Sequence, residues 1–195
     1  MRSILKILAV GFLVIFACEP VRVKTHREKT YPAQPPPPLE TAPAKPFSGK
    51  SYSEAVSRWR SYQDLVEWLN KDFSLDRERL KKFEGRLPPP RSPEETFGLK
   101  SGIYIDVATF AKETLNRMDP AYQARIVVLL IRPNRANHYV CSFLKDGMLF
   151  IIDYGTPYQP LTGIHGPFLS LEEFKRFFEK NDPAKRRVEA VRYLP

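Results

Sequence analysis

His138-Tyr-Val-Cys-Ser-Phe-Leu-Lys-Asp-Gly-Met-Leu-Phe-Ile-Ile-Asp153 is the stretch on which the fold of this chain turns. Two apolar runs, His138 to Leu144 and Met148 to Tyr154, flank Lys145-Asp146-Gly147. Asp-Gly between such runs is a strong signal for an antiparallel hairpin. A loop of Asp146 and Gly147 alone sets His138 opposite Gly155 and diagonal to Asp153, whereas a longer loop, Leu144 to Gly147, sets His138 directly opposite Asp153. In both registers the two side chains share a face, about 5 Å apart if opposite and about 7 to 8 Å if diagonal, so an imidazole to carboxylate hydrogen bond is feasible. Cys141 has the other parity and points away from His138. It is read as a buried, inert thiol.

Working outward, Arg125 to Ile131 is a continuous apolar run rich in β-branched residues, which predicts a central strand, and Pro133 to Asn137 is a loop. Before it, Tyr104 to Met118 reads as a helix that gathers Tyr104, Val107, Ala108, Ala111, Leu115 and Met118 on one face, and that face must be buried. Three further segments precede that helix. Ser53 can cap a helix carrying Val56, Trp59, Tyr62, Leu65, Val66 and Leu69 as far as Asp72; a short helix from Asp76 to Glu84 stops at Gly85; and Pro88 to Pro90 forces an extended crossing. Downstream, His165 sits in the turn-rich stretch Thr162 to Pro167 and is read as structural, and Ser170 with Glu173 forms a capping box for a helix through Lys180. Val188 to Leu194 alternates and predicts an edge strand. The fold class is α+β, a helical front followed by a helix feeding an antiparallel sheet.

The amino terminus has a different character. Arg2 and Lys6 precede an apolar run, Ile7 to Ala17, that is too short to span a bilayer comfortably and predicts a signal peptide over residues 1–17. Ile15-Phe16-Ala17-Cys18 resembles the bacterial lipobox, which makes Cys18 the lipidation site; an ordinary cleaved signal or an uncleaved anchor is the alternative. Acyl chains anchor firmly because each buried methylene contributes about 0.8 kcal/mol. Residues 18–50 then read as a tether. Gln34 to Leu39, with four consecutive prolines, reads as polyproline II, which extends by about 3.1 Å per residue. Residues 51–195 form the domain.

The chain has 195 residues, with hydrophobic residues at 43% and aromatics at 12%, enough for a core despite 19 prolines. Its formal charge of +9 raises the question of nucleic acid. The distribution answers it, because residues 1–18 carry +2, residues 19–50 carry +3, and the domain carries 23 basic against 19 acidic side chains. Arg22, Lys24, Arg27 and Lys29 follow the anchor, where anionic lipid headgroups attract them. No nucleic-acid partner is expected. Two cysteines make neither a disulfide framework nor a cysteine-based zinc site, and no cofactor or metal is expected.

Pro93-Glu94-Glu95-Thr96, then Gly102-Ile103-Tyr104-Ile105-Asp106, Ala108 and Phe110, then His138 and Asp153, together resemble the bacterial transglutaminase-like superfamily over about residues 90–160. The resemblance implies a papain-like α+β fold in which a Gly-x-Cys-x-Asp segment opens a helix packed on a small antiparallel sheet. The cysteine there meets a histidine and an aspartate on successive strands. A helix amino terminus stabilises a thiolate, the imidazole shuttles the proton, and the aspartate orients the imidazole during acyl transfer or amide hydrolysis. Carried over, His138 takes the base position, Asp153 the orienting position, and Tyr104 stands where the cysteine belongs. A phenol has an ordinary pKa near 10 and is largely protonated at neutral pH, so the triad is degenerate.

Two functions follow from that resemblance. The first is a catalytically inactive, lipid-anchored module of the bacterial cell envelope, facing the periplasm or exterior, whose former cleft binds a peptide or protein. The second is an envelope hydrolase or acyltransferase that recruits a group other than cysteine. The residues alone also admit plain structural roles, with Tyr104 a core aromatic and His138 and Asp153 an ordinary strand pair.

Overall fold

The computed structural model describes residues 51–83, 86–132 and 137–195. The signal peptide, Cys18 and the tether expected within residues 1–50 lie outside the described residues.

Two helices, α1 (Tyr52–Arg58) and α2 (Tyr62–Lys71), replace the single helix expected from Ser53 to Asp72. The reason is local capping. Ser51, rather than Ser53, caps α1, its hydroxyl accepting from the Glu54 amide while the Glu54 carboxylate accepts from the Ser51 amide. Asp64 then accepts the amides of Arg60 and Ser61 at 2.7 and 3.0 Å and starts a second helix. The break turns Trp59 onto Trp68 and Phe97, with ring centroids 6.3 Å away in each case.

A short strand, β1 (Ser74–Leu75), leads to α3 (Arg77–Lys82), which Asp76 caps through the Arg79 amide. The stop expected at Gly85 lies outside the described residues. Helix α4 (Pro93–Leu99) occupies a segment expected only to lead into the next helix. Its signal was present in the sequence: Ser92 caps the Glu95 amide, Glu95 accepts the Ser92 amide, and Pro93 opens the first turn, where its missing N–H costs nothing. After β2 (Ser101–Gly102), which pairs in parallel with β1, helix α5 (Tyr104–Met118) has the predicted bounds.

The rest of the domain is β3 (Arg125–Arg132), β4 (Asn137–Lys145), β5 (Met148–Asp153), β6 (Gly163–Phe168), α6 (Leu171–Asn181) and β7 (Arg187–Tyr193). The five strands from β3 to β7 form one antiparallel sheet in the order β6-β5-β4-β3-β7. Strand β6 corrects the turn-rich reading of Thr162 to Pro167, since His165 pairs with Ile151 and Ile164 with Ile152. An edge position tolerates the glycines and proline that argued for a loop, because only one side of the strand must join a ladder.

Both faces of the sheet are covered, which is why its central strands read as continuous apolar runs and not as alternation. On one face Cys141, Phe143 and Ile152 pack with Val107, Phe110, Ala111 and Leu115 of α5 and with residues of α1, α2 and α4. On the other, Val127, Leu129, Val140 and Ile151 pack with Phe174 and Phe178 of α6. Among the described residues no helix is long and apolar enough to cross a membrane.

Candidate functional site

Lys145 pairs with Met148 and Cys141 with Ile152, so the hairpin loop is Asp146-Gly147 and His138 lies diagonal to Asp153. Both loop residues have positive φ, 52° and 75°, the backbone twist that tight hairpins need. The diagonal register still joins the pair, because His138 Nε2 lies 2.5 Å from Asp153 Oδ2. A carboxylate only accepts, so a neutral imidazole carries its proton on Nε2 and keeps its lone pair on Nδ1. Asp153 Oδ1 accepts the Gly155 amide at 3.2 Å. The dyad is well shielded, with His138 7% and Asp153 3% exposed.

Tyr104, the first residue of α5, sets its ring 6.0 Å from the His138 imidazole at 67°, and it stacks on Tyr139 at 5.7 Å and 17°. Its hydroxyl has no hydrogen-bond partner among the described residues, so phenol and imidazole touch at their rings without sharing a proton. Burial pushes the Tyr104 phenol above its ordinary pKa, Tyr139 and Asp106 add to that, and Arg79 opposes it. The sheet faces explain this arrangement. His138 and Asp153 project to the α6 side, where His138 meets the Phe178 ring at 5.9 Å, whereas α5 packs on the opposite side. Tyr104 reaches the imidazole only at the strand ends, past Gly155, whose backbone lies directly against it.

Tyr104, His138 and Gly155 line one cavity of about 510 Å³, together with Arg77 and Lys81 of α3 and with Tyr158 and Arg186. No protein-family model and no curated protein matches this chain. The site therefore rests on its own geometry. Cys141 is excluded from it, being fully buried in the α5-side core with its thiol pushed far up by burial. His165 is also apart, its Nε2 donating to the Leu161 carbonyl at 2.8 Å and its ring against Phe177. Among the described residues no group of three His, Cys, Asp or Glu side chains is placed to hold a metal.

Three contributors escaped the sequence reading. Gly155 matters for its missing Cβ, and a glycine two residues past Asp153 at a strand end was the only hint. Asp106 is a fully buried hub: it accepts the Ile103 amide at 3.0 Å, the Arg91 amide at 2.8 Å, and Arg79 Nε and Nη2 at 2.9 and 3.2 Å. An acidic residue in the first turn of a helix was the signal, but its long-range partners were not. Arg186 is the third. Buried Asp182 grips its guanidinium at 2.7 and 3.0 Å, and the guanidinium covers the Tyr158 ring at 4.7 Å.

Burial alone would raise the Asp182 pKa, but the hydrogen bonds from the Arg186 side chain and amide outweigh it and hold the carboxyl below its ordinary 3.8. The stabilisation is fully present above that value and is lost as pH falls through the lower folded value. Asp182→Asn is expected to flatten the acid limb of stability below about pH 4 while lowering stability at neutral pH, as urea midpoints across that range will show. An unchanged pH profile in the variant refutes this assignment.

Proposed function

We propose that this chain is a lipid-anchored, catalytically inactive module of the bacterial cell envelope, with a transglutaminase-like, papain-like domain whose cleft binds a peptide or protein partner. The observation that carries it is the nucleophile position. Tyr104 stands at the head of α5 beside a joined His138 and Asp153 pair, yet its hydroxyl makes no hydrogen bond to the imidazole and its pKa is moved further from neutrality. Proton transfer to a base needs heavy atoms about 2.6 to 3.2 Å apart or one bridging water. A protonated phenol stacked on Tyr139 is a wall of a binding site. The +3 tether and the lipobox-like Ile15 to Cys18 support the membrane placement.

The test is turnover of amide and ester substrates, and of glutamine–amine transamidation, by purified protein beside its His138→Gln variant. The glutamine keeps a donor for Asp153 and cannot act as the base. No activity is expected from either protein, and activity that His138→Gln removes overturns the reading. Removal of the Tyr104 hydroxyl, which has no hydrogen-bond partner among the described residues, in Tyr104→Phe is expected to change stability by less than about 0.5 kcal/mol, read as a melting temperature within about 2 °C of the parent.

One observation favours the enzyme reading as a second possibility: the dyad is joined through Nε2, so a neutral imidazole there leaves the Nδ1 lone pair open to accept a proton. In that case the base activates a water or a substrate hydroxyl, and Tyr104→Phe abolishes activity only if the phenol takes part. Loss of activity at unchanged melting temperature in Tyr104→Phe is the result that selects it.

A further inference from the structure

We infer that the cleft beside Tyr104 and His138 selects an acidic peptide segment bearing an apolar side chain. This rests on the reading of that cleft as a binding site and names its ligand class. Arg77, Lys81, Arg86 and Arg186 line the cavity, and no carboxylate does so among the described residues. Three nearby acids are already committed. Asp106 is bound by Arg79 and two amides, Asp153 by His138 and the Gly155 amide, and Asp182 by Arg186. Arg186 is thus largely neutralised where it stands. Arg77 and Lys81 are exposed and have no carboxylate partner among the described residues, and Arg86 uses one nitrogen on the Lys82 carbonyl. Three cations on one side of a concave site, with no lining acid among the described residues, present a positive field where a ligand must enter.

Charge alone does not describe the ligand, because the rest of the lining is apolar. Leu80, Phe83, Ile131 and Pro157 line the same cavity, with the faces of Tyr104 and Tyr158, and Leu87 is 52% exposed there. A ligand must therefore desolvate an apolar group against these surfaces while keeping carboxylates near α3. A glutamate- or aspartate-rich peptide with one large apolar residue meets both needs. A sulfated or uronic-acid oligosaccharide supplies the charge without the apolar group, so we place it second. A cavity of about 510 Å³ suits a few residues and not a folded surface.

The experiment measures fluorescence anisotropy of the full-length chain with two labelled peptides, one with a Leu-Phe pair flanked by glutamates and one with glutamines in their place. A sulfated oligosaccharide serves as competitor. The acidic peptide is expected to bind at least tenfold more tightly than the neutral one, to weaken as salt rises, and to lose about tenfold or more in the Arg77→Glu, Lys81→Glu double variant. Both side chains are exposed, so that variant should fold, and an unchanged circular dichroism spectrum checks it.

Equal binding of both peptides overturns the charge selection and leaves the binding-module reading standing. Binding of neither peptide overturns both. Displacement of the acidic peptide by the oligosaccharide at lower concentration than by unlabelled peptide overturns the peptide assignment. Cleavage of the acidic peptide that His138→Gln abolishes keeps the ligand class and overturns the non-catalytic reading.

Discussion

Asp106→Ala is expected to lower the melting temperature by about 6 to 20 °C. The carboxylate is fully buried and receives four hydrogen bonds from three separate segments: Arg79 on α3, the Arg91 amide after the proline crossing, and the Ile103 amide at the head of α5. Removing it leaves the largely buried Arg79 guanidinium without its counter-charge and two amides without an acceptor. Breaking a buried pair from one side costs about 3 to 5 kcal/mol. At about 2 to 4 °C per kcal/mol for a domain of this size, that is the predicted loss. Asp106→Asn keeps the shape but turns half of the acceptor into a donor facing N–H groups, and should fall between parent and alanine variant. A urea midpoint that drops with unchanged slope identifies a loss of stability; no drop in either variant refutes the hub.

The same hub supports the cleft. Arg79 also donates to the Pro89 carbonyl at 2.7 Å, so Asp106 ties α3 and the proline crossing to α5. Helix α3 carries Arg77 and Lys81, and α5 begins with Tyr104. Partial unfolding in Asp106→Ala should therefore appear first in α3 and at the head of α5, before the sheet melts.

Gly155→Ala is expected to destabilise by about 1 to 3 kcal/mol and to displace the Tyr104 ring from His138. A Cβ at this position falls 2.1 Å from Tyr104 Cα and 2.4 Å from its nitrogen. Those atoms are backbone, so no rotamer relieves the clash, and either the end of β5 or the head of α5 must move. For that reason Tyr104→Ala should fail to rescue the variant. Changed chemical shifts of the His138 ring protons in Gly155→Ala, beside a lower melting temperature, are the expected result. A variant with parent-like stability and spectra shows that the close approach does not exist.

Much of this architecture was legible along the chain. The period of the apolar residues between Tyr104 and Met118 set one helix correctly to the residue, and Asp146-Gly147 set the hairpin. Where the reading failed, competing local signals decided. Ser51 and Asp64 divided one amphipathic stretch into two helices because caps satisfy amides that periodicity does not see. Strand β6 was hidden because an edge strand can carry Gly163, Gly166 and Pro167, residues whose ordinary meaning is a turn.

For the site, the parity of a β-hairpin determined from sequence alone that His138 and Asp153 share a face and that Cys141 lies on the other, because side chains alternate with a period of two. Position likewise put Tyr104 at the head of its helix. The tertiary structure alone decided that the phenol stacks on Tyr139 and meets the imidazole ring without a hydrogen bond to it, since that depends on α5 and the dyad occupying opposite faces of the sheet. It also decided that Arg77, Lys81 and Arg186, more than 100 residues apart at the extremes, line one cavity, a juxtaposition that no local pattern encodes. Local propensity acts over a few residues, whereas the cleft is made by packing between segments distant in the chain.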